Sequence, residues 1–254
     1  MPTDPLLVPP TGITVEAWIT YDDSTIPING QFYWPTIARQ NLGSGQEVYN
    51  LRVSASNNAS RTLQWIVRTG SSLVSVSYPF TAGEFANWTH VAATFDGQTL
   101  RLFKNGVQVA TRTLTTLTEL VYAGDVLRIG NGDAGAPGRE TWNGKIDELR
   151  IWPVARTAGE ILSTKDLSLG QLPGKLLNFT LDGFEFDVSS GLIGTLFGAT
   201  SYVAGAPGVV GSYPAVTAIG QSTTNCGRTI DAMTTTIPSI GNHEFALWAV
   251  RGPL

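Results

Sequence analysis

The sequence predicts an all-β protein made of antiparallel strands, and three observations support this. Two Xaa-Gly turns, Asp96-Gly97 and Asn105-Gly106, separate short runs in which apolar and polar residues alternate. Only 14 % of the residues are charged, whereas 28 are glycine and 14 are proline, which favours strands and turns over helices. Strand candidates also recur at short intervals, a spacing typical of a sandwich or a barrel.

The strand candidates follow one another along the first part of the chain, with connections rich in Gly, Asn and Pro. In chain order they are GITVEAWIT, TIARQ, VYNLRVSAS, TLQWIVRT, LVSVSYPF, WTHVAATF, TLRLFK, VQVATRTL, VLRIGN and IDELRIW. One short helix is predicted at RTAGEIL. There Thr157, followed three residues later by Glu160, forms the pattern of a capping box.

The Asn105-Gly106 turn predicts a hairpin in detail. Asn-Gly favours a type I′ turn, which needs positive φ at both central residues. A two-residue loop then pairs Lys104 with Val107 and Phe103 with Gln108, and by extension Leu102 with Val109 and Leu100 with Thr111. Since side chains alternate between the faces of a strand, we expect the apolar set to cover the core. That set is Leu100, Leu102, Val107 and Val109.

Composition and charge exclude several classes of protein. A net charge of −4 with no basic stripe argues against nucleic-acid binding. No apolar run approaches the ~18–20 residues of a membrane helix, and the single cysteine, Cys226, cannot form an internal disulfide. The start MPTDPLLVPP has no signal-peptide pattern. Either the protein stays in the cytoplasm or Met1 is an artificial boundary, and we favour the second.

Three blocks of sequence resemble one known family in the family's order. They are GITVEAWI (12–19), WTHVAATFDGQTLRLFKNGVQVATRTL (88–114), and LRIGN with WNGKIDELRIWPVARTAGEI (127–131 and 142–161). Together they resemble the laminin-G-like domain of the concanavalin A-like lectin/glucanase superfamily. The resemblance covers residues 12–161 and implies an antiparallel two-sheet jelly-roll β-sandwich.

A fourth block resembles the same family in an unusual position. Residues 176–200, LLNFTLDGFEFDVSSGLIGTLFGAT, are similar to the segment that normally opens such a domain. We therefore divide the chain into a sandwich core (1–170), an opening-strand-like segment (171–210) and an unassigned extension (211–254). Two alternatives remain for the segment 171–210: it closes the same sandwich, which we favour, or it begins a second module. In the extension, HEFALWAV is the best strand candidate.

The sequence offers little for catalysis. Retaining glycoside hydrolysis needs two carboxyl groups about 5–5.5 Å apart, and the Glu-x-Asp-x-(x)-Glu pattern of β-glucanase-like members of the superfamily is missing. Glu185 and Asp187 have a suitable spacing without a third acid, while Asp147 and Glu148 fall on opposite faces of a strand. His90 is predicted to be a packed histidine rather than a catalytic or metal-binding one. We therefore expect a protein that is not an enzyme.

Two long loops, 22–36 and 130–144, carry the candidate binding residues. Aromatic rings stack on sugars because C–H edges meet the negative π face, and an arginine offers five hydrogen-bond donors. The predicted carbohydrate-binding residues are Tyr33, Trp34, Arg139 and Trp142. For the tryptophans and Tyr33 the alternative is that they plug the ends of the sandwich. The resemblance to calcium-binding relatives makes Asp133 and Glu140, with Asp125, candidate Ca²⁺ ligands.

These observations lead to one functional hypothesis and two rivals. We expect a non-catalytic lectin-like module for carbohydrate recognition or cell adhesion. Its partner would be a glycan or a glycosylated surface, and it would act outside the cell or on an exported assembly. The rivals are an assembly domain of a larger toxin, phage or surface protein with neighbouring domains, and a glycoside hydrolase with an unrecognised acid pair.

Overall fold

A computed structural model shows two antiparallel sheets packed face to face, which confirms the predicted fold class. The structure describes residues 8–9, 11–24, 32–41, 47–56, 60–121, 126–132, 139–167, 177–179, 181, 192–197, 200–203, 205–206, 215–218, 227–228 and 246–251. Asp133, Asp125, Glu185, Asp187, Cys226 and most of the extension 211–254 lie outside these ranges.

The two sheets are named sheet 1 and sheet 2. Sheet 1 runs in the order β14 (Thr200–Val203), β15 (Ala215–Ala218), β11 (Gly144–Trp152), β1 (Ile13–Tyr21), β7 (Thr89–Phe95), β8 (Thr99–Lys104), β9 (Val107–Thr113), with β12 (Leu177–Phe179) also on β11. Sheet 2 runs in the order β16 (Gly227–Arg228), β13 (Leu192–Phe197), β17 (Ala246–Arg251), β10 (Leu127–Ile129), β3 (Thr36–Asn41), β4 (Glu47–Ser56), β5 (Ser60–Thr69), β6 (Ser72–Pro79), with β2 (Phe32–Tyr33) also on β4.

The core lies between the inner faces of the sheets and follows the alternation of the strands. In β5, Leu63, Trp65 and Val67 are fully buried, whereas Gln64 between them is partly exposed on the outer face. The indole N–H of Trp65 donates to the backbone carbonyl of Thr94 in sheet 1, at 3.1 Å. This hydrogen bond joins the two layers and satisfies the one polar atom of the buried ring.

The hairpin β8–β9 confirms the predicted turn and corrects the register beyond it. Asn105 and Gly106 have φ of 50° and 80°, as a type I′ turn requires. The register then shifts between Phe103 and Leu102, where Val109 is the extra residue of β9. This bulge pairs Leu102 with Ala110 rather than with Val109, and Leu100 with Arg112 rather than with Thr111. The prediction that Val107 covers the core is also wrong, since 63 % of this residue is exposed.

The outer edge of β11 is divided between two later segments of the chain. β12 pairs with Leu149–Ile151, and β15 pairs with Gly144–Ile146. Between them lies a bulge, where Glu148 has φ of 49° and the register with β1 shifts. The side chain of Asp147 accepts hydrogen bonds there from the backbone N–H groups of Glu148 and Ala206, both at 2.9 Å.

The strand β12 contributes to the core of the sandwich, as the alternation of LNFTL predicts. Leu177, Phe179 and Leu181 are fully buried in the same apolar cluster as Leu149 and Ile151 of β11. These residues follow the predicted helix RTAGEIL in the chain and yet pack against strands that precede it.

Helix α1 (Ala158–Thr164) covers part of the outer face of sheet 1, the face that points away from sheet 2. It begins with the predicted capping box. The backbone N–H of Glu160 donates to the Thr157 hydroxyl, and the backbone N–H of Thr157 donates to the Glu160 carboxylate. Ile161 is its buried residue and packs on Ala92 and Phe103 of the sheet. Seven residues are too few for a stable isolated helix, so this packing stabilises it.

A buried carboxylate on β1 lies beneath this helix. Glu16 is fully buried and accepts hydrogen bonds from the Trp152 indole at 2.8 Å and from Arg156 at 3.0 Å. The Arg150 guanidinium lies 3.6 Å from Glu16 and 2.9 Å from Glu148. Arg150 also donates to the backbone carbonyl of Thr164 at the end of α1. Buried charges are tolerated only when they are paired in this way, so the cluster attaches α1 to the sheet.

His90 lies beside this cluster and is a packed histidine, as its position in the strand predicts. Its ring is 1 % exposed and makes an edge contact with Trp18 at 5.6 Å. Glu16 is 3.8 Å away, too far for a hydrogen bond. Burial, and then the positive charges of Arg150, Lys165 and Arg156, lower the pKa of His90 well below 6.5. The imidazole is therefore neutral in the folded protein near neutral pH.

This pKa predicts a loss of stability in mild acid. Below pH 6.5 the unfolded chain binds a proton at His90 and the folded chain does not, so the free energy of unfolding falls with pH by up to about 1.4 kcal/mol per unit. Urea unfolding at pH 7 and pH 5.5 measures this change. In His90→Phe, the part of the slope due to this residue should disappear. An unchanged slope in the variant would contradict the assignment.

Candidate functional site

The two loops that carry the candidate residues meet beside β3. The backbone N–H of Trp34 donates to the carbonyl of Arg139 at 2.6 Å, and that of Thr36 donates to the carbonyl of Glu140 at 3.0 Å. The described ends of both loops therefore run side by side. This places Trp34 and Arg139, which are far apart in sequence, at one position of sheet 2.

Two aromatic rings from the first loop lie on the outer face of sheet 2. β2 pairs Tyr33 with Ala55 and Phe32 with Ser56 of β4. Tyr33 points inwards, since it is 7 % exposed and belongs to the core, whereas Phe32 is 53 % exposed. Trp34 is partly exposed, and its ring is nearly parallel to that of Phe32, with centroids 6.5 Å apart and an angle of 8°.

Two guanidinium groups lie near the Trp34 ring. The central carbon of Arg139 is 5.4 Å from the ring centroid and that of Arg52 is 5.8 Å from it, both within range of a cation–π interaction. Arg52 reaches this position from β4, opposite Gln64 of β5. We call the group of Phe32, Trp34, Arg52 and Arg139 the Trp34 surface.

Polar side chains extend the Trp34 surface across sheet 2. The Nε of Arg52 donates to Gln64 at 3.2 Å, and the amide nitrogen of Gln64 lies 3.4 Å from the hydroxyl of Ser77 on β6. Gln64 is partly exposed and Ser77 is exposed. The arrangement thus provides apolar rings beside a row of hydrogen-bonding groups, which can bind a flat ligand that has one apolar face and polar edges.

Trp142, which the sequence placed among the binding residues, lies in the core. Its ring is fully buried and packs on Tyr21 at 4.8 Å, and its indole N–H donates to the carbonyl of Thr20 at 3.1 Å. A covered ring has no face for a ligand, so we correct the candidate set by removing Trp142. Tyr33 is also largely buried, although Arg139 lies 5.9 Å from its ring. The burial of Tyr33 and Trp142 agrees with the alternative that these rings fill the interior of the sandwich rather than bind a ligand.

The described residues do not by themselves fit a calcium site. Glu140 is bound by the Arg39 guanidinium at 3.0 Å, and Arg39 also pairs with Glu47 at 3.3 Å. Ca²⁺ takes six to eight oxygen ligands, and no group of three or more His, Cys, Asp or Glu side chains is placed for a metal among the described residues. Asp133 and Asp125 lie outside them, so calcium binding there stays a prediction.

Glycine at position 132 keeps room for the Glu140 carboxylate. A Cβ atom added at Gly132 would overlap the Glu140 Oε2 and would lie 2.9 Å from the Thr36 hydroxyl. Any side chain at this position would displace the carboxylate that pairs with Arg39. Glycine at position 132 therefore allows the chain to pack closely against Thr36 of β3.

The sequence reading missed Arg52. The alternation of VYNLRVSAS indicates that Arg52 points away from the core, and this signal was available. The sequence did not reveal that Trp34, which follows β2, lies beside Arg52, because a two-residue strand is too short to show an alternation of apolar and polar residues.

Comparison with known proteins places the fold in a family. A laminin G family model, described as the concanavalin A-like lectin/glucanases superfamily, matches residues 1–162. Pappalysin-1 of Mus musculus is 37 % identical over 79 residues, and that of Homo sapiens is 38 % identical over 79 residues. The matched segment covers 30 % of this chain and 5 % of the length of either relative.

Two solved structures are similar to this chain at low sequence identity. A heptameric SAP-like pentraxin from Limulus polyphemus is 20 % identical with a TM-score of 0.43, over 66 % of this chain and 73 % of the pentraxin. The IT-sialidase CBM40 of Ruminococcus gnavus is 15 % identical with a TM-score of 0.45, over 62 % of this chain and 84 % of that one. In the part of the chain described here, no helix is long and apolar enough to cross a bilayer.

Proposed function

Because the chain belongs to the concanavalin A-like lectin/glucanase superfamily, we propose that it is a non-catalytic lectin-type module that binds carbohydrate at the Trp34 surface. The observation that carries the proposal is the pair of nearly parallel rings, Phe32 and Trp34, on an outer sheet face with Arg52 and Arg139 beside them. Sugars offer an apolar face of C–H groups and a rim of hydroxyls, which match such rings and donors.

The proposed binding is weak for a single site. Stacking and a few hydrogen bonds, less the cost of ordering the ligand, give about −4 to −6 kcal/mol, or tens of micromolar to millimolar. The proposed setting is extracellular or on an exported assembly, in recognition or adhesion. The family membership supports this setting.

A glycoside hydrolase is the less favoured rival. Glu47 and Glu140 are two acids near the Trp34 surface, but both pair with the Arg39 guanidinium, which is 2 % exposed. Hydrolysis needs one carboxyl group as a proton donor and another as a base or nucleophile, whereas this arrangement neutralises a buried cation. We therefore expect no release of reducing sugar from any glycan that the protein binds.

The test is a titration of the best ligand from a glycan array with the wild type and with Trp34→Ala. We expect Trp34→Ala to abolish measurable binding, because the partly exposed ring supplies the stacking face. A melting curve for each protein checks that the variant is folded.

Trp88→Ala is the matched control. Trp88 is also partly exposed and also has a cation nearby, with the Lys145 Nζ at 5.8 Å, but it packs with Trp18 at sheet 1. Its replacement should leave binding unchanged. If the folded Trp34→Ala variant binds as the wild type does, the proposed site is wrong.

A further inference from the structure

Arg52 and Arg139, like Arg68 and Arg112, have no carboxylate partner among the described residues, but Arg52 and Arg139 also lie beside the Trp34 ring. The Arg52 Nε donates to the Gln64 amide, which is neutral. The Nε of Arg139 is buried without a hydrogen-bond partner among the described residues, and the hydrogen bond from Trp34 goes to the backbone carbonyl of Arg139 rather than involving its guanidinium. By contrast, the arginines that pair with acids are Arg39, Arg61, Arg101, Arg150 and Arg156.

The missing partners matter because the site is partly desolvated. Burial is the largest effect that lowers the pKa of Arg52, and the positive charge of Arg39 adds to it. Glu47 and Glu140 act in the opposite direction, and the single charge of Arg39 cannot neutralise both carboxylates. Arg39 and Arg52 together balance these two acids, whereas Arg139 adds a further positive charge beside the Trp34 ring, and a partly buried cation without a counter-charge is unfavourable.

We infer that the ligand of the Trp34 surface is an anionic sugar, whose carboxylate or sulfate group binds between Arg52 and Arg139 while its ring stacks on Trp34. This inference rests on the proposed function. A guanidinium fork matches planar and tetrahedral oxyanions through paired hydrogen bonds. The Nε of Arg52 is held by Gln64, which leaves its two terminal nitrogens for the ligand.

The experiment is an array of immobilised glycans in which each neutral oligosaccharide is paired with its carboxylated and its sulfated form. The wild type should bind charged members at least tenfold more strongly than their neutral parents. The carboxylated and sulfated arms show which anion is preferred. Binding should weaken as NaCl is raised from about 50 to 500 mM, since the charges are partly exposed.

Three variants connect the preference to the site. The double variant Arg52→Gln/Arg139→Gln should lose at least tenfold in affinity for charged glycans. Arg112→Gln removes the same type of charge from an exposed arginine that donates to the carbonyl of Ser75, and it should change affinity less than twofold. Trp34→Ala should abolish binding of every glycan.

The outcomes separate this inference from the proposed function. One outcome is that neutral glycans bind as strongly as charged ones, that their binding requires Trp34, and that the double substitution does not change their affinity. The inference is then wrong and the proposed function stands. If Arg112→Gln weakens binding as much as the double variant does, the attraction is general and the inference is also wrong. If no glycan binds, or binding survives Trp34→Ala, both proposals are overturned.

Discussion

A chain cut after Gly170 is expected to lose its cooperative melting transition and to aggregate. The cut removes β12 and with it Leu177, Phe179 and Leu181, which are fully buried. Full burial of such side chains contributes roughly 1.5–3 kcal/mol each, so the sum approaches the whole stability of a typical domain, about 5–15 kcal/mol. The cut also leaves the outer edge of β11 unpaired, which favours association between chains.

Circular dichroism melting and size-exclusion chromatography of the cut chain measure this effect. A point variant, Phe179→Ala in the full chain, should cost about 3–5 kcal/mol. Leu167→Ala, at a residue that is 42 % exposed, is the matched control and should cost less than about 0.5 kcal/mol. A cut chain that stays soluble with an unchanged melting temperature would show that a separate module begins after residue 170.

Replacing Glu16 by Gln is expected to lower the free energy of unfolding by about 3–5 kcal/mol, the usual cost of removing one partner from a buried ion pair. The glutamine has nearly the same shape, so the loss comes from charge. Arg150 keeps Glu148 as a partner, whereas Arg156 keeps the Glu160 carbonyl, the Thr164 hydroxyl and the Trp152 ring, none of which carries a negative charge. Helix α1 should be released from sheet 1 before the rest of the protein unfolds.

Urea denaturation gives the stability change, and hydrogen exchange of residues 158–164 tests the local release. Asp166→Asn is the control, because Asp166 is half exposed and pairs with Lys165 on the surface, where an ion pair contributes at most about 1 kcal/mol. A loss below 1 kcal/mol in Glu16→Gln would mean that the Ile161 contact, rather than the ion pairs, attaches the helix.

The fold could be read from the sequence because its strands alternate clearly. The Asn105-Gly106 turn and the capping box at Thr157 were local signals and were confirmed. The predicted hairpin register was wrong beyond Phe103 because a bulge inserts Val109 opposite the Leu102–Phe103 step, and a turn type does not report an irregularity inside a strand.

The candidate site could be predicted from the sequence only in part. Trp34 and Arg139 could be proposed from the sequence because long polar loops that carry aromatic residues are unusual. Backbone hydrogen bonding brings these two residues together, and their role in binding stays a prediction. Trp142 could not be assigned correctly, because a Gly-rich segment has no alternation to separate inside from outside. Its backbone N–H donates to the carbonyl of Gly130, a contact that accompanies its turn into the core.

The position of β1 in sheet 1 affects how the chain folds during synthesis. β1 precedes both of its neighbours in the sheet, β7 and β11, in the chain. Its pairing partners are therefore complete only when Phe95 and then Trp152 have been synthesised. At 5–20 residues per second, β1 waits on the order of ten seconds for the second of them. During that time ITVEAWITY is an unpaired apolar strand of the kind that associates with other chains.

Glu16 is the one charged residue in this strand. In the nascent chain it would act as a gatekeeper, because a charge in the middle of an apolar segment opposes stacking of like strands. The charge becomes buried only when Arg150 and Arg156 have been made, since both lie C-terminal to β1. The same carboxylate thus keeps the strand soluble before its partners exist and pairs with two of them afterwards.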